Sequence, residues 1–291
     1  MTDLNGFMQS FAENRNITAG ICDAAPLGET RLNTSTPFVS TDIEKRTNPA
    51  AAMPGVKSII AIGVPQNIPP SHAPANPEKA TAQLSSMGAT IDYHNCVKSV
   101  LRELADELKN NLTFKHKILA DSPALDERAY AHKAGIGFFG RNGLLISPKF
   151  GTRFNIGLLL TSIPMSVFSP PSPAAPAACP PNCRLCIANC PGNALQENAP
   201  LNIASCISYL TQKDNLTPAE ENLLGQSRQL YGCDICQNIC PFNAPIPPIC
   251  IDPAEWLTLT DAEFRQQYAH TAILWRGTEI LRRNARIILE T

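Results

Sequence analysis

Charge is scarce in this sequence, and neither sign dominates. Charged residues make up 17%, and Lys+Arg 24 against Asp+Glu 25 leaves a formal net charge of -1. That balance excludes a protein-wide basic field able to gather nucleic acid, while leaving room for a local patch. Long apolar runs are missing as well. The stretch Ile156 to Leu160 is cut short by Thr161, Ser162 and Pro164, far below the roughly 20 residues a spanning helix needs, so no membrane partner is expected. The first residues, Met1-Thr2-Asp3-Leu4-Asn5, hold no basic region, apolar signal core or twin arginine; a cytoplasmic location is the expectation. Apolar side chains in general are plentiful, at 44% of 291 residues, which is a globular composition with ample chain for a core.

Cysteine is abundant and unevenly placed. Of eleven, Cys22, Cys96 and Cys250 are scattered, and they are expected to be small buried apolar side chains. The other eight fall between residues 179 and 240. Gaps of two or three residues bring thiols onto one centre more readily than they form disulfides, so metal ligation is the reading. The pattern is Cys179-x3-Cys183-x2-Cys186-x3-Cys190-Pro191, then Cys206, then Cys233-x2-Cys236-x3-Cys240-Pro241.

The repeated half-motif Cys-x2-Cys-x3-Cys-Pro resembles the duplicated bacterial ferredoxins that hold two 4Fe–4S clusters. In that arrangement three thiolates come from one loop, and the cysteine before proline serves the other cluster. The resemblance implies Cys179, Cys183, Cys186 and Cys240 on one cluster, with Cys190, Cys206, Cys233 and Cys236 on the other. Four-cysteine zinc centres also use Cys-x2-Cys pairs, but they lack the third cysteine and the Cys-Pro step seen twice here. The first gap, Pro180-Pro181-Asn182, is one residue longer than usual. Either the extra residue bulges outward or Cys179 ligates weakly.

The first part alternates strand and helix signals. Lys57 to Val64 is an apolar, β-branched run closed by Pro65, and Pro65 to Pro77 is a proline-rich loop. Val97, Val100, Leu101, Leu104 and Leu108 recur at helical spacing within Ile91 to Leu112. Strands are expected at Phe114 to Ala120, Leu144 to Ile146 and Arg153 to Thr161, and a helix from Ala124 to Ala134. The fold class that follows is an α/β (α+β) sandwich. Pro164 to Pro181 is a composition break. The expected division is therefore 1–165 as the α/β domain, 175–250 as the two-cluster module and 251–291 as a helical segment packing on the core.

Gly135-Ile136-Gly137-Phe138-Phe139-Gly140 spells a dinucleotide fingerprint. It follows a helix and precedes a strand, the reverse of the order that fingerprint needs, so its glycines are read as a tight connection. Asp121 lies in a Ser-Pro turn directly after a strand. Two readings stand side by side: a ligand-facing acid at the strand's carboxyl end, or the N-cap of the next helix, which Asp121 or Ser122 could provide.

The run from Asp121 through Ala124-Leu125-Asp126-Glu127-Arg128 to Gly140-Arg141-Asn142 resembles the epoxyqueuosine reductases. So do Asp92-Tyr93-His94, Cys206-Ile207-Ser208-Tyr209-Leu210-Thr211 and Gly232-Cys233-Asp234-Ile235-Cys236-Gln237-Asn238-Ile239-Cys240-Pro241-Phe242-Asn243. Weaker echoes are Lys45 to Pro49, Trp275-Arg276-Gly277 and Arg283-Asn284-Ala285. The resemblance implies cobalamin beside the two clusters, equipment shared with reductive dehalogenases, and removal of the epoxide oxygen from epoxyqueuosine at the tRNA wobble position. It places Asp121 as the catalytic acid. It also places Arg46, Asp121, Asn142, Ile146, Cys233 and Asp234 around the corrin. A flavodoxin or ferredoxin would supply electrons.

With no global positive field, tRNA would need a local patch. Lys213 beside Tyr209 is the first candidate; Arg228 and the C-terminal Arg282, Arg283 and Arg286 are others, against the plain alternative of a solvated helix face. Two rival functions remain open at this point. One is a corrinoid and iron–sulfur reductase of a small molecule, which the neutral charge favours. The other is an electron-transfer ferredoxin.

Overall fold

The computed structural model describes residues 4–28, 38–68, 78–79, 81–123, 125–168, 178–197 and 199–291. Residues 69–77 of the proline-rich loop expected at 65–77, residues 169–177 of the composition break at 164–181 and the expected helix start at Ala124 lie outside the described residues.

In chain order, α1 (Leu4–Asn14) and β1 (Thr18–Asp23) precede α2 (Ile43–Thr47), α3 (Pro49–Ala52) and β2 (Ser58–Pro65). Then come β3 (Ala82–Leu84), α4 (Ser86–Ala89), the long α5 (Tyr93–Lys109), β4 (His116–Leu119) and α6 (Glu127–Lys133). β5 (Phe138–Phe139), β6 (Leu145–Ile146) and β7 (Phe154–Thr161) follow. The remainder is α7 (Leu185–Ala188), α8 (Ile207–Leu210), α9 (Pro218–Ser227), β8 (Gln229–Tyr231) and α10 (Ile235–Asn238). It closes with β9 (Ile249–Ile251), α11 (Pro253–Thr258), α12 (Asp261–Tyr268) and α13 (Thr278–Glu290).

Two compact units emerge, 1–65 with 94–181, and 66–93 with 182–291. The first is built on a sheet ordered β1-β2-β7-β4. Its central strands are buried almost throughout, because successive side chains point to opposite faces and a helix covers each. On one face α5 seats Val97 and Leu101 over Gly157. On the other, Ile59, Ala61, Leu158 and Leu160 pack with Tyr130, Ala131 and Ala134 of the α6 segment. The sandwich of helices around a sheet is therefore present. Its strand directions differ from a parallel α/β design, since β1–β2, β2–β7 and β4–β7 all pair antiparallel. A strand buried on both faces reads as a continuous apolar run whichever way its neighbours point, which is why direction was not legible. The rule placing ligands at the carboxyl ends of parallel strands consequently lends Asp121 no support.

The second unit reclaims residues from the middle of the first half. β3 pairs parallel with β8 and antiparallel with β9, so 66–93 leave the sheet unit that surrounds them in sequence. The C-terminal residues join the same unit: α13 packs on α9, α11 and β8. Its core gathers Trp256, Phe264 and Tyr268 with Leu281, Ala285 and Ile288. Fully buried Asn284 donates its Nδ2 hydrogens to the Thr211 and Leu230 carbonyls, at 2.8 and 2.9 Å, stitching α13 to β8. The observed division therefore differs from the expected three segments, because strand pairing across long sequence separation decided it. Among the described residues, no helix is long and apolar enough to cross a membrane.

Candidate redox and catalytic sites

The cysteine duplication is visible in the backbone. In each half a short helix, α7 or α10, carries the middle cysteine, Cys186 or Cys236, and the two helices pack against one another. Each half then closes with the same turn. The Asn193 N–H donates to the Cys190 carbonyl at 3.0 Å, and the Asn243 N–H to the Cys240 carbonyl at 3.0 Å. The Ala194 N–H also donates to the Cys190 sulfur at 3.3 Å.

Five thiols of the second unit lie close enough to influence one another. Cys206 is influenced by Cys190, Cys233 by Cys206 and Cys190, and Cys236 by Cys233, Cys206 and Cys186. Burial is the first cause pushing the Cys206, Cys233 and Cys236 thiols up, Cys233 to about 12, with neighbouring thiols adding to it. Thiolates in such surroundings need compensating positive charge, which metal binding supplies. Among the described residues, no group of three or more His, Cys, Asp or Glu closes around a single ion. A cubane spreads four thiolates over four irons and asks for no such convergence. Cys183, Cys186 and Cys240 lie in the second unit, while Cys179, half-buried, is counted with the first. Of the scattered cysteines, Cys22 is buried as expected, its thiol raised by burial to about 12. Cys96 is exposed on α5 and Cys250 half-buried, since neither falls on a side packed into a core.

Asp121 occupies a left-handed turn, φ 54°, immediately past β4, a conformation that is uncommon for a non-glycine residue. Its side chain is 65% exposed, and its Oδ2 stands 3.3 Å from His94 Nε2 at the start of α5. The cap reading fails, because α6 is capped by Asp126, whose side chain accepts from the Ala129 N–H. What fixes the turn is Glu127. The Asp121 N–H donates to its Oε2 at 2.9 Å and the Ser122 N–H to its Oε1 at 2.8 Å. Sequence reasoning did not single out His94 or Glu127 individually, because neither stands at a spacing that marks it.

The first unit also positions the residues expected around a corrin. The N–H of Asp126 donates to the Arg46 carbonyl at 2.9 Å, and the Tyr130 hydroxyl to the Thr47 carbonyl at 2.8 Å. The end of α2 is thereby lashed to the start of α6. Arg46 and Asn142 are both buried, and Arg46 Nε and Asn142 Nδ2 have no hydrogen-bond partner among the described residues. Buried donors left without acceptors are costly and suit a cofactor edged with amide carbonyls. Asn142 and Ile146 crowd the same side of Gly140, where an added Cβ would lie 2.7 and 2.5 Å from them. The fingerprint-like glycines do make a connection. Gly135, φ 80°, ends α6, and Gly137 lets the backbone pass close to Ile146 in the β5–β6 hairpin.

Asp234 is buried, and its carboxylate is occupied: the Ser86 N–H donates to it at 2.6 Å and Gln237 Nε2 at 2.8 Å. Adjacent Cys233 is half-buried. Lys213 is paired with Glu220 at 2.7 and 2.8 Å, so it offers no spare charge without exchanging that partner. Arg228 binds Thr81 and the Ile288 carbonyl, and Arg282 bridges Asp261 and Glu279. Arg283 donates to carbonyls of the Leu210–Asp214 stretch. Arg286 is the loosest of the set, 52% exposed and 3.9 Å from Glu279.

Comparison with known proteins matches this geometry. Residues 179–243 fit the model of a 4Fe-4S double cluster binding domain. Residues 46–122 fit the family model described as epoxyqueuosine reductase QueG, DUF1730. The epoxyqueuosine reductase of Staphylococcus aureus is 35% identical over 87% of this chain and 68% of its own length. That of Bacillus cereus is 32% identical over 93% and 75%. The solved epoxyqueuosine reductase of Streptococcus thermophilus is 28% identical and covers 99% of this chain and 81% of its own, with TM-score 0.85. Another was solved with an epoxyqueuosine-modified tRNA-Tyr stem loop; it is 28% identical over 98% and 80%, with TM-score 0.84. Domain model, sequence relatives and fold point the same way, and this chain belongs to the epoxyqueuosine reductase family.

Proposed function

We propose that this chain reduces epoxyqueuosine in tRNA to queuosine, using two 4Fe–4S clusters and a bound cobalamin. One observation carries the reading. Asp121 is an exposed carboxyl, held in a left-handed turn by two backbone bonds and faced by His94, in a chain whose relatives include a reductase solved on the modified stem loop.

Losing one epoxide oxygen as water consumes two electrons and two protons. Each cluster passes one electron at a time, and a flavodoxin or ferredoxin is the proposed donor. Cys190, Cys206, Cys233 and Cys236 hold one cluster in this proposal; Cys179, Cys183, Cys186 and Cys240 hold the other. Arg46, Asn142 and Ile146 receive the corrin, the first two through the buried donors described above. Cys233 and Asp234 are assigned to it on the family resemblance. Cobalamin, when bound, supplies the reducing centre that opens the carbon–oxygen bond. Asp121 delivers a proton to the departing oxygen from Oδ2, with His94 within reach to orient or reprotonate it. tRNA phosphates are met by a few basic residues, Arg286 more readily than paired Lys213.

The test gives protein loaded with iron and corrinoid a strong reductant and tRNA carrying epoxyqueuosine, then seeks queuosine after nuclease digestion. Conversion supports the proposal. No conversion by fully loaded protein favours a small-molecule corrinoid reductase. Failure to retain corrinoid on a desalting column favours an electron-transfer ferredoxin.

A further inference from the structure

Asp121 is on the surface, and a surface turn with a positive φ is not self-supporting. A non-glycine residue in this region is strained and persists only where its surroundings enforce it. The enforcing group is the Glu127 carboxylate, which spends both oxygens on two consecutive N–H groups, those of Asp121 and Ser122. Glu127 itself stands on an anchored helix. It is the first residue of α6, whose Tyr130 hydroxyl is tied to Thr47 and Ala25 and whose Ala131 is fully buried. An acid in the first turn of a helix ordinarily faces its own helix's N–H groups. This one reaches backwards instead, to the turn that carries the proposed acid.

We infer that Glu127 is the latch of the catalytic turn: a positioning residue whose carboxylate holds Asp121 in its proton-delivering conformation. The inference rests on the reading of Asp121 as the acid, and it adds how that acid is presented. Ionisation matters to such a latch. Burial pushes the Glu127 carboxyl up to about 7, Asp121 and Asp126 push the same way, and the two N–H donors oppose them. His94 reaches Asp121 from α5 rather than Glu127.

Hydrogen exchange followed by mass spectrometry on the holoenzyme tests this without substrate. After correction for intrinsic rates, Glu127→Gln should speed exchange in the peptide containing Asp121 and Ser122 by about ten- to hundredfold, the range expected on losing charge-assisted bonds. Exchange in the rest of α6 should not change. In turnover, the variant should lose kcat and keep KM for the modified stem loop. Glu127→Ala is the second variant, and if it loosens all of α6 the Gln variant decides. Unchanged protection in Glu127→Gln would overturn the latch. If the latch behaves as expected while wild type converts no epoxyqueuosine, the functional reading falls and the latch stands.

Discussion

The two units hold their reactive groups by opposite means. In the first, the sheet and its two covering helices form a continuous apolar core, and Asp121 sits on a turn at its rim. In the second, the cysteine loops contribute little core of their own. Between residues 178 and 206 the buried side chains, among the described residues, are Cys186, Ala194 and Leu195. A site on a packed scaffold tolerates loss of one side chain. A site made of loops that the cofactor itself must staple does not.

The sharpest way to break that comparison is to remove one ligand from the loops. Cys236→Ser should lower iron from about eight to about four per chain, abolish turnover and loosen the whole cysteine module. Iron and sulfide analysis with limited proteolysis would show it. A full iron complement would show that Cys236 is no ligand. On the scaffold side, Asp121→Asn should leave clusters, corrinoid and melting behaviour intact, while turnover falls about 10²–10⁴-fold, the usual worth of a positioned general acid. Near-normal turnover would place the acid elsewhere, with His94 the next group to substitute.

Core substitutions sharpen the contrast further. Trp256 is fully buried, donates to the Tyr268 hydroxyl at 2.9 Å and packs against Phe264. Trp256→Ala should cost the second unit roughly 3–5 kcal/mol, and cluster absorbance should be lost at lower denaturant. Ile62→Ala, in the buried centre of β2, should cost the first unit roughly 2–5 kcal/mol. If cluster loss shifts equally in both variants, the units unfold as one, and the distinction between scaffold and staple is thermodynamically empty.

What the sequence disclosed follows the same division. The apolar runs at 57–64 and 153–161 and the helical spacing of Val97, Leu101, Leu104 and Leu108 marked real elements within a few residues. Local periodicity reports burial, and these elements are defined by burial. The duplicated cysteines marked the cluster loops for an equally local reason. Strand direction and the allegiance of 66–93 were not legible, because the pairing of Leu84 with Tyr231 and Ile249 joins residues far apart in sequence. At the turn after β4, Asp121 was nameable from its neighbours. Glu127 was not, since an acid beside a helix start looks like helix electrostatics until its two backbone bonds are seen. Lys213 looked like a free phosphate contact because its partner Glu220 lies seven residues on, beyond a turn and at the head of α9.

The smallest effect is the one that separates cap from catalyst. Asp121 and Asp126 are five residues apart in one short segment, and on composition alone either could start α6. The structure gives the cap to Asp126, whose Oδ1 accepts from the Ala129 N–H at 3.2 Å. Asp126→Ala should therefore lower stability by about 1 kcal/mol, and Asp126→Asn should restore most of it, since asparagine caps as well as aspartate. Asp121→Ala and Asp121→Asn should behave alike in stability, apart from the small relief or strain each brings to the left-handed turn. In turnover the order inverts. Asp126→Asn should stay near wild type, because its cap bond and the Arg46 backbone bond survive, while Asp121→Asn loses orders of magnitude. Measuring melting and turnover on the same four proteins makes the crossing visible. Parallel losses in both columns would mean that the segment acts as one structural piece and that neither aspartate has a role of its own.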